Sequence, residues 1–129
     1  TERMVPRVVE KVQRAAALLG VETCLTAAQV AIDDRWIGPA YGVATPEGIE
    51  AIKLLARTEG IVPAPVYSGK GFSGLIGQIR EGRLTSADTA VFIHTGGTPA
   101  LFAYAGELAS QFRSPGQIIE IAERERTDR

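Results

Sequence analysis

One cysteine, one histidine and one tryptophan leave this chain short of the residues that most often announce a site. A lone Cys24 closes no internal disulfide, and a single histidine beside it cannot complete the ligand set of a structural zinc site. No apolar run approaches the about 20 residues that a membrane-crossing helix needs, and no leader pattern of a charged segment followed by an apolar one opens the sequence. The expectation is therefore no membrane and a cytosolic setting. Lysine and arginine are in near balance with aspartate and glutamate, for a net charge of -1, and they are spread along the chain. That excludes the clustered basic face that phosphate backbones require, so no nucleic acid is expected as a partner. Internal repeats and low-complexity stretches are also missing.

What is present describes an ordinary soluble domain. At 129 residues, with 45% hydrophobic and 22% charged content, the chain can bury one core. Val5, Val8, Val9, Val12, Ala15, Ala16 and Leu19 recur at helical spacing, and Gly20 stops that helix. Gln29 to Ile32 reads as a short strand. Thr45-Pro46-Glu47 is a helix start with a capping hydroxyl, a proline in the first turn and an acid after it. That helix turns Ile49, Ile52, Leu55 and Ala56 inward and ends near Gly60. Ile61 and Val62 are followed by Pro63 and Pro65, which predicts an extended segment and not a central strand. Ser73 to Arg83 reads as a helix with Leu75, Ile76 and Ile79 on one face.

Ala90-Val91-Phe92-Ile93 is the clearest strand, apolar on both faces as in a buried parallel sheet. Pro99 opens a helix through Ser110, and a last helix is expected from about Pro115 to Arg126, its alternating charges Glu123-Arg124-Glu125-Arg126 suiting a solvated end. The expected fold class is α/β, a three-layer parallel sheet with flanking helices. The chain opens at Thr1 and runs almost at once into a helix, which fits a piece of a longer protein.

The chemistry concentrates in three glycine-rich loops, Gly38 to Gly42, Val66 to Gly71 and His94 to Pro99. In an α/β fold such loops lie outside the carboxyl ends of the strands, where ligands bind. Tyr41, between Gly38-Pro39 and Gly42, can project a phenol into a cleft or simply close over the loop. Ser68 can cap the helix behind it or offer a neutral hydrogen bond to a ligand near the helix start. Lys70 lacks the spacing of a phosphate-binding Walker loop and reads as a solvated or phosphate-steering lysine. In His94-Thr95-Gly96-Gly97, backbone amides suit an anion and the threonines a polar ligand. Three such loops on a non-catalytic α/β domain that grips an anion are the alternative from a different class.

With the loops in place, the chain resembles the carboxyl-terminal part of fold-type-II pyridoxal-phosphate enzymes, in the branch of D-cysteine desulfhydrase and 1-aminocyclopropane-1-carboxylate deaminase. The motifs that carry the resemblance are Tyr41-Gly42-Val43, Pro46-Glu47-Gly48, Ala56-Arg57-Thr58-Glu59-Gly60, Pro65-Val66-Tyr67-Ser68-Gly69-Lys70, Gly74-Leu75-Ile76 and His94-Thr95-Gly96-Gly97-Thr98-Pro99-Ala100-Leu101-Phe102-Ala103-Tyr104.

The resemblance implies pyridoxal 5'-phosphate as cofactor, a small amino-acid substrate and a homodimer for the full-length protein. It implies that residues 1–110 belong to the cofactor-binding large domain, while 111–129, beyond the shared motifs, read as a helical tail. It places Tyr41 and Tyr67 on the substrate side as catalytic residues, and Ser68, Thr95 and Gly96 at the cofactor, with no metal. The deaminases of the branch carry Glu where this chain has Ser68, and the desulfhydrase-like members carry a hydroxyl. The implied activity is therefore α,β-elimination from D-cysteine to pyruvate, ammonia and sulfide, with cyclopropane ring opening by the deaminase as the alternative. The family's Schiff-base lysine and main phosphate loop match nothing here, since Lys11, Lys53 and Lys70 fall outside the lysine's motif. The chain alone is expected to be inactive.

Overall fold

The computed structural model describes residues 3–112. Two compact units meet in the chain between Trp36 and Ile37. The first holds helix α1, Met4–Leu19, as its spacing of valines and alanines requires. Gly20 ends α1 at φ 66°, with its amide donating back to the carbonyls of Ala16 and Ala17. Where a strand was expected from Gln29 to Ile32, Ala27–Gln29 instead forms a single 3-10 turn. Its start is held by the Thr26 amide donating to Gln29 Oε1 at 2.9 Å. Asp33 then accepts two hydrogen bonds from the Arg35 guanidinium, at 2.8 and 2.6 Å, and one from Trp36 Nε1 at 3.3 Å. These donors, the Arg35 side chain first, hold the Asp33 carboxyl well below the usual carboxylate range.

The second unit contains helices α2, Pro46–Glu59, α3, Ser68–Arg80, and α4, Ala105–Phe112, with a 3-10 helix over Thr98–Tyr104. Helix α2 begins as read: Thr45 Oγ1 accepts from the Gly48 amide at 3.1 Å, and Gly60 closes the helix at φ 69°. Its buried face is Ile49, Ala51, Ile52 and Leu55. Ile49 and Ile52 meet Leu108 in the core, with Ala44, Leu101 and Tyr104 packed around them. Ile61 and Val62 stay exposed, while Pro63 and Pro65 are fully buried.

Helix α3 departs from expectation in two ways. It starts at Ser68, five residues before the reading from Ser73, and it takes Gly69, Gly71 and Gly74 into its body. It also buries small residues, Ser73, Gly74 and Gly77 among them, while Ile79 is exposed and Leu75 and Ile76 are half-buried. Contact with α2 explains both. A Cβ on Gly69 would lie 2.9 Å from the Ala64 carbonyl oxygen and 3.0 Å from the Ile52 side chain. The glycine cost to the helix is offset by the close approach of α3 to α2. Gly69→Ala is therefore expected to cost about 1–3 kcal/mol through overpacking, despite alanine's higher helix propensity. A lowered denaturation midpoint checks it, and a gain in stability would refute the contact.

The parallel sheet of the expected α/β class is not formed among the described residues. Ala90 to Ile93 forms no ladder, and Val91 and Ile93 are exposed. A buried strand needs neighbours on both edges and both faces; here Phe92 packs on the side of α3, its ring edge-on to Phe72 at 5.2 Å and 3.6 Å from where a Cβ on Gly71 would be. The helix expected from Pro99 opens instead as the 3-10 segment and becomes α-helical at Ala105. The last helix, from about Pro115, lies outside the described residues, as does nearly all of the tail from 111. No described helix is long and apolar enough to cross a membrane.

Candidate functional site

The loop from Ile37 to Val43 carries Tyr41 between two glycines in the left-handed region, Gly38 at φ 74° and Gly42 at φ 76°. Gly38 has a second reason to be glycine, because a Cβ there would lie 2.4 Å from Thr45 Cγ2. The loop is held from two sides. Lys70 Nζ donates to the Ile37 carbonyl at 2.7 Å and to the Ala40 carbonyl at 3.5 Å. The Tyr104 hydroxyl donates to the Gly42 carbonyl. Tyr41 itself, 81% exposed, stands clear of this framework.

Tyr67 occupies the position just before α3 and is also exposed. Its ring lies 5.9 Å from that of Tyr41, tilted by 56°. The Tyr67 phenol is pushed above the ordinary tyrosine value, first by a hydrogen bond with the Tyr41 phenol, then by desolvation and by the charge Tyr41 would carry.

Ser68 is the first residue of α3 and is buried. It does not cap the helix: its Oγ accepts from the Ala64 amide at 2.8 Å and donates to the Gly96 carbonyl at 3.5 Å. That second bond is at the outer limit of hydrogen bonding. The His94-to-Gly97 loop lies along the same segment. Thr98 Oγ1 donates to the Val62 carbonyl at 3.3 Å, and Gly97, at φ 89°, leaves no room for a side chain, since a Cβ would meet that of Ala64 at 3.0 Å. The Gly96 amide donates to His94 Nδ1 at 3.0 Å, so this amide is not free for an anion. Thr95 is exposed on the loop next to Gly96.

The fold therefore joins the candidate residues in two places, Tyr41 with Tyr67 and Ser68 with Gly96. Both places lie at the start of α3, on consecutive residues. Two residues shape the site in ways the sequence does not indicate. Lys70 is buried, not solvated, and its ammonium is spent on loop carbonyls. Tyr104 falls on the stripe with Leu101 and Leu108, and a hydroxyl on an apolar stripe was the available signal. Among the described residues no group of three His, Cys, Asp or Glu could hold a metal ion.

A family profile described as "Pyridoxal-phosphate dependent enzyme" matches residues 2–96. The chain is 42% identical over 104 residues to a protein of Schizosaccharomyces pombe named "Probable 1-aminocyclopropane-1-carboxylate deaminase", covering 81% of this chain and 31% of that protein. A solved structure, "Crystal Structure Analysis of the ACC deaminase homologue", superposes with a TM-score of 0.62 at 34% identity, covering 85% of this chain and 32% of that one. The chain thus spans about a third of the length of the relatives it matches.

Proposed function

The chain belongs to the pyridoxal-phosphate-dependent enzymes, and we propose that it forms the wall of such an enzyme that meets the substrate and the pyridine nitrogen, acting on 1-aminocyclopropane-1-carboxylate. The residues present fit one end of the cofactor. Ser68 offers a buried hydroxyl whose donor bond to Gly96 is weak, and Thr95 offers an exposed one nearby in the sequence. Neutral hydroxyls suit an aromatic ring nitrogen. The aldehyde end finds no anchor at Lys70, because its ammonium is already tied to the Ile37 and Ala40 carbonyls. When bound, pyridoxal phosphate supplies an electron sink for bonds at the substrate α-carbon.

The phenol pair carries the deaminase reading. Opening a cyclopropane ring between carbon atoms expels a carbanion, which needs a proton donor beside it. Tyr67, whose ring lies 5.9 Å from that of Tyr41, carries a phenol that is protonated at neutral pH as tyrosine ordinarily is, so it can donate a proton there. Tyr41, on a braced loop, orients Tyr67 and presents its own ring to the substrate. One relative is named a probable deaminase of this substrate and the other a homologue of that deaminase.

Ser68 favours a second reading, elimination of sulfide from D-cysteine. A hydroxyl at the ring nitrogen withdraws electrons less than a charged partner would, which is adequate when the leaving group is a thiolate. Product analysis on the full-length protein separates the two. A four-carbon 2-oxo acid with ammonia from 1-aminocyclopropane-1-carboxylate is the expected result. Sulfide and pyruvate from D-cysteine alone would transfer the assignment to the elimination, and no product from either would refute both.

A further inference from the structure

Lys70 is the buried charged group that the proposed chemistry leaves unused. The residue is 6% exposed, and its described acceptors are the backbone carbonyls of Ile37, at 2.7 Å, and Ala40, at 3.5 Å. Those two carbonyls belong to the loop that carries Tyr41. Lys70 itself stands three residues after Tyr67, in the first turn of α3. One helical turn therefore presents one phenol directly and grips the loop of the other.

The surroundings are shaped around this grip. Gly38 passes close enough to the ammonium that a Cβ would lie 3.4 Å from Nζ, and a Cβ on Gly48 would lie 3.6 Å from Lys70 Cγ. Ser73 Oγ donates back to the Lys70 carbonyl at 2.7 Å, fixing the turn from which the lysine extends. Burying an ammonium is costly unless its donors are satisfied. A loop displaced by an ångström would leave this one short of acceptors.

We propose that Lys70 is a positioning residue, whose ammonium group locks the Tyr41 loop to the first turn of α3 and so sets the contact between the Tyr41 and Tyr67 phenols. It acts through Tyr41 and does not touch substrate. Its effect on turnover rests on the proposed role of the phenol pair; its effect on the pair's geometry does not.

The experiment uses the full-length holoenzyme and two readouts. The first is spectroscopic titration of the phenols in the wild type, Tyr41→Phe and Lys70→Met, the last keeping an unbranched stem without the ammonium. One phenol titrating above the ordinary value is expected in the wild type, and its fall toward that value is expected in both variants. The second is a double-mutant cycle on kcat. Lys70→Met alone is expected to lose about 10²-fold, the scale of a misplacement near 1 Å, with cofactor content retained. Added to Tyr41→Phe, it is expected to lose little more.

An unchanged phenol titration in folded Lys70→Met overturns the proposal, as does an equal loss of kcat in both backgrounds. If Tyr41→Phe keeps full turnover while Lys70→Met still shifts the titration, the positioning role stands and the catalytic role of the pair falls. Should Lys70→Met fail to accumulate, Lys70→Gln, an uncharged donor of shorter reach, is read against the same titration.

Discussion

Tyr67→Phe in the full-length enzyme is expected to lower turnover by about 10²–10⁴-fold, the usual worth of a positioned general acid, while cofactor content stays unchanged. The substitution is chosen to be narrow. Phenylalanine keeps the ring that lies 5.9 Å from Tyr41 and removes only the hydroxyl. Tyr67 is exposed, so its hydroxyl supports no packed core whose loss would blur the result. Equal loss of turnover and of cofactor would mean that Tyr67 holds the cofactor and does not move protons.

The pH dependence has a sign that follows from the pair. An acid whose pKa is raised keeps its proton to higher pH, so activity that needs protonated Tyr67 falls only as pH rises past the ordinary tyrosine range. Tyr41→Phe removes the largest cause of that shift. The alkaline limb of kcat/KM is then expected to move to lower pH. A limb that stays in place would assign it to another group.

Ile52→Ala is expected to be the most damaging stability change, at about 2–5 kcal/mol for a large-to-small core substitution. Ile52 is 1% exposed and packs in the core with Ile49 and Leu108. Its side chain is also the surface on which Gly69 of α3 rests, 3.0 Å from where a Cβ would be. Truncation there opens a cavity under the helix that carries Ser68 and Lys70, so cofactor affinity is expected to fall along with the denaturation midpoint. Ile52→Val, which removes one methylene group, is expected to cost about 0.5–1.5 kcal/mol. Similar midpoints for the two variants would show that the α2–α3 contact does not depend on this side chain.

Much of the local structure was legible because its causes act within a helical turn. Thr45, Pro46 and Gly60 bound α2 as read, and Gly20 ends α1 as read, since caps and stops depend on residues a few positions apart. The start of α3 was misread for the complementary reason. Glycines 69, 71 and 74 argue against a helix by propensity, and only the approach to Ile52 and Ala64 makes them favourable. The same contact turned Ile79 outward and small residues inward. Ala90 to Ile93 has the composition of a strand, but a strand exists only through its neighbours.

The site divides along the same line. The sequence by itself carried the motifs that assign the chain to its enzyme family and named the candidate residues Tyr41, Tyr67, Ser68 and the His94-to-Gly97 loop. Tertiary structure alone decided how they meet. Lys70 reaches back to the Ile37 carbonyl, Ser68 reaches forward to that of Gly96, and Tyr104 pins the Gly42 carbonyl. Each link joins residues tens of positions apart, where no local propensity operates. Such contacts form because packing brings the donor and acceptor together and burial makes an unmade hydrogen bond costly.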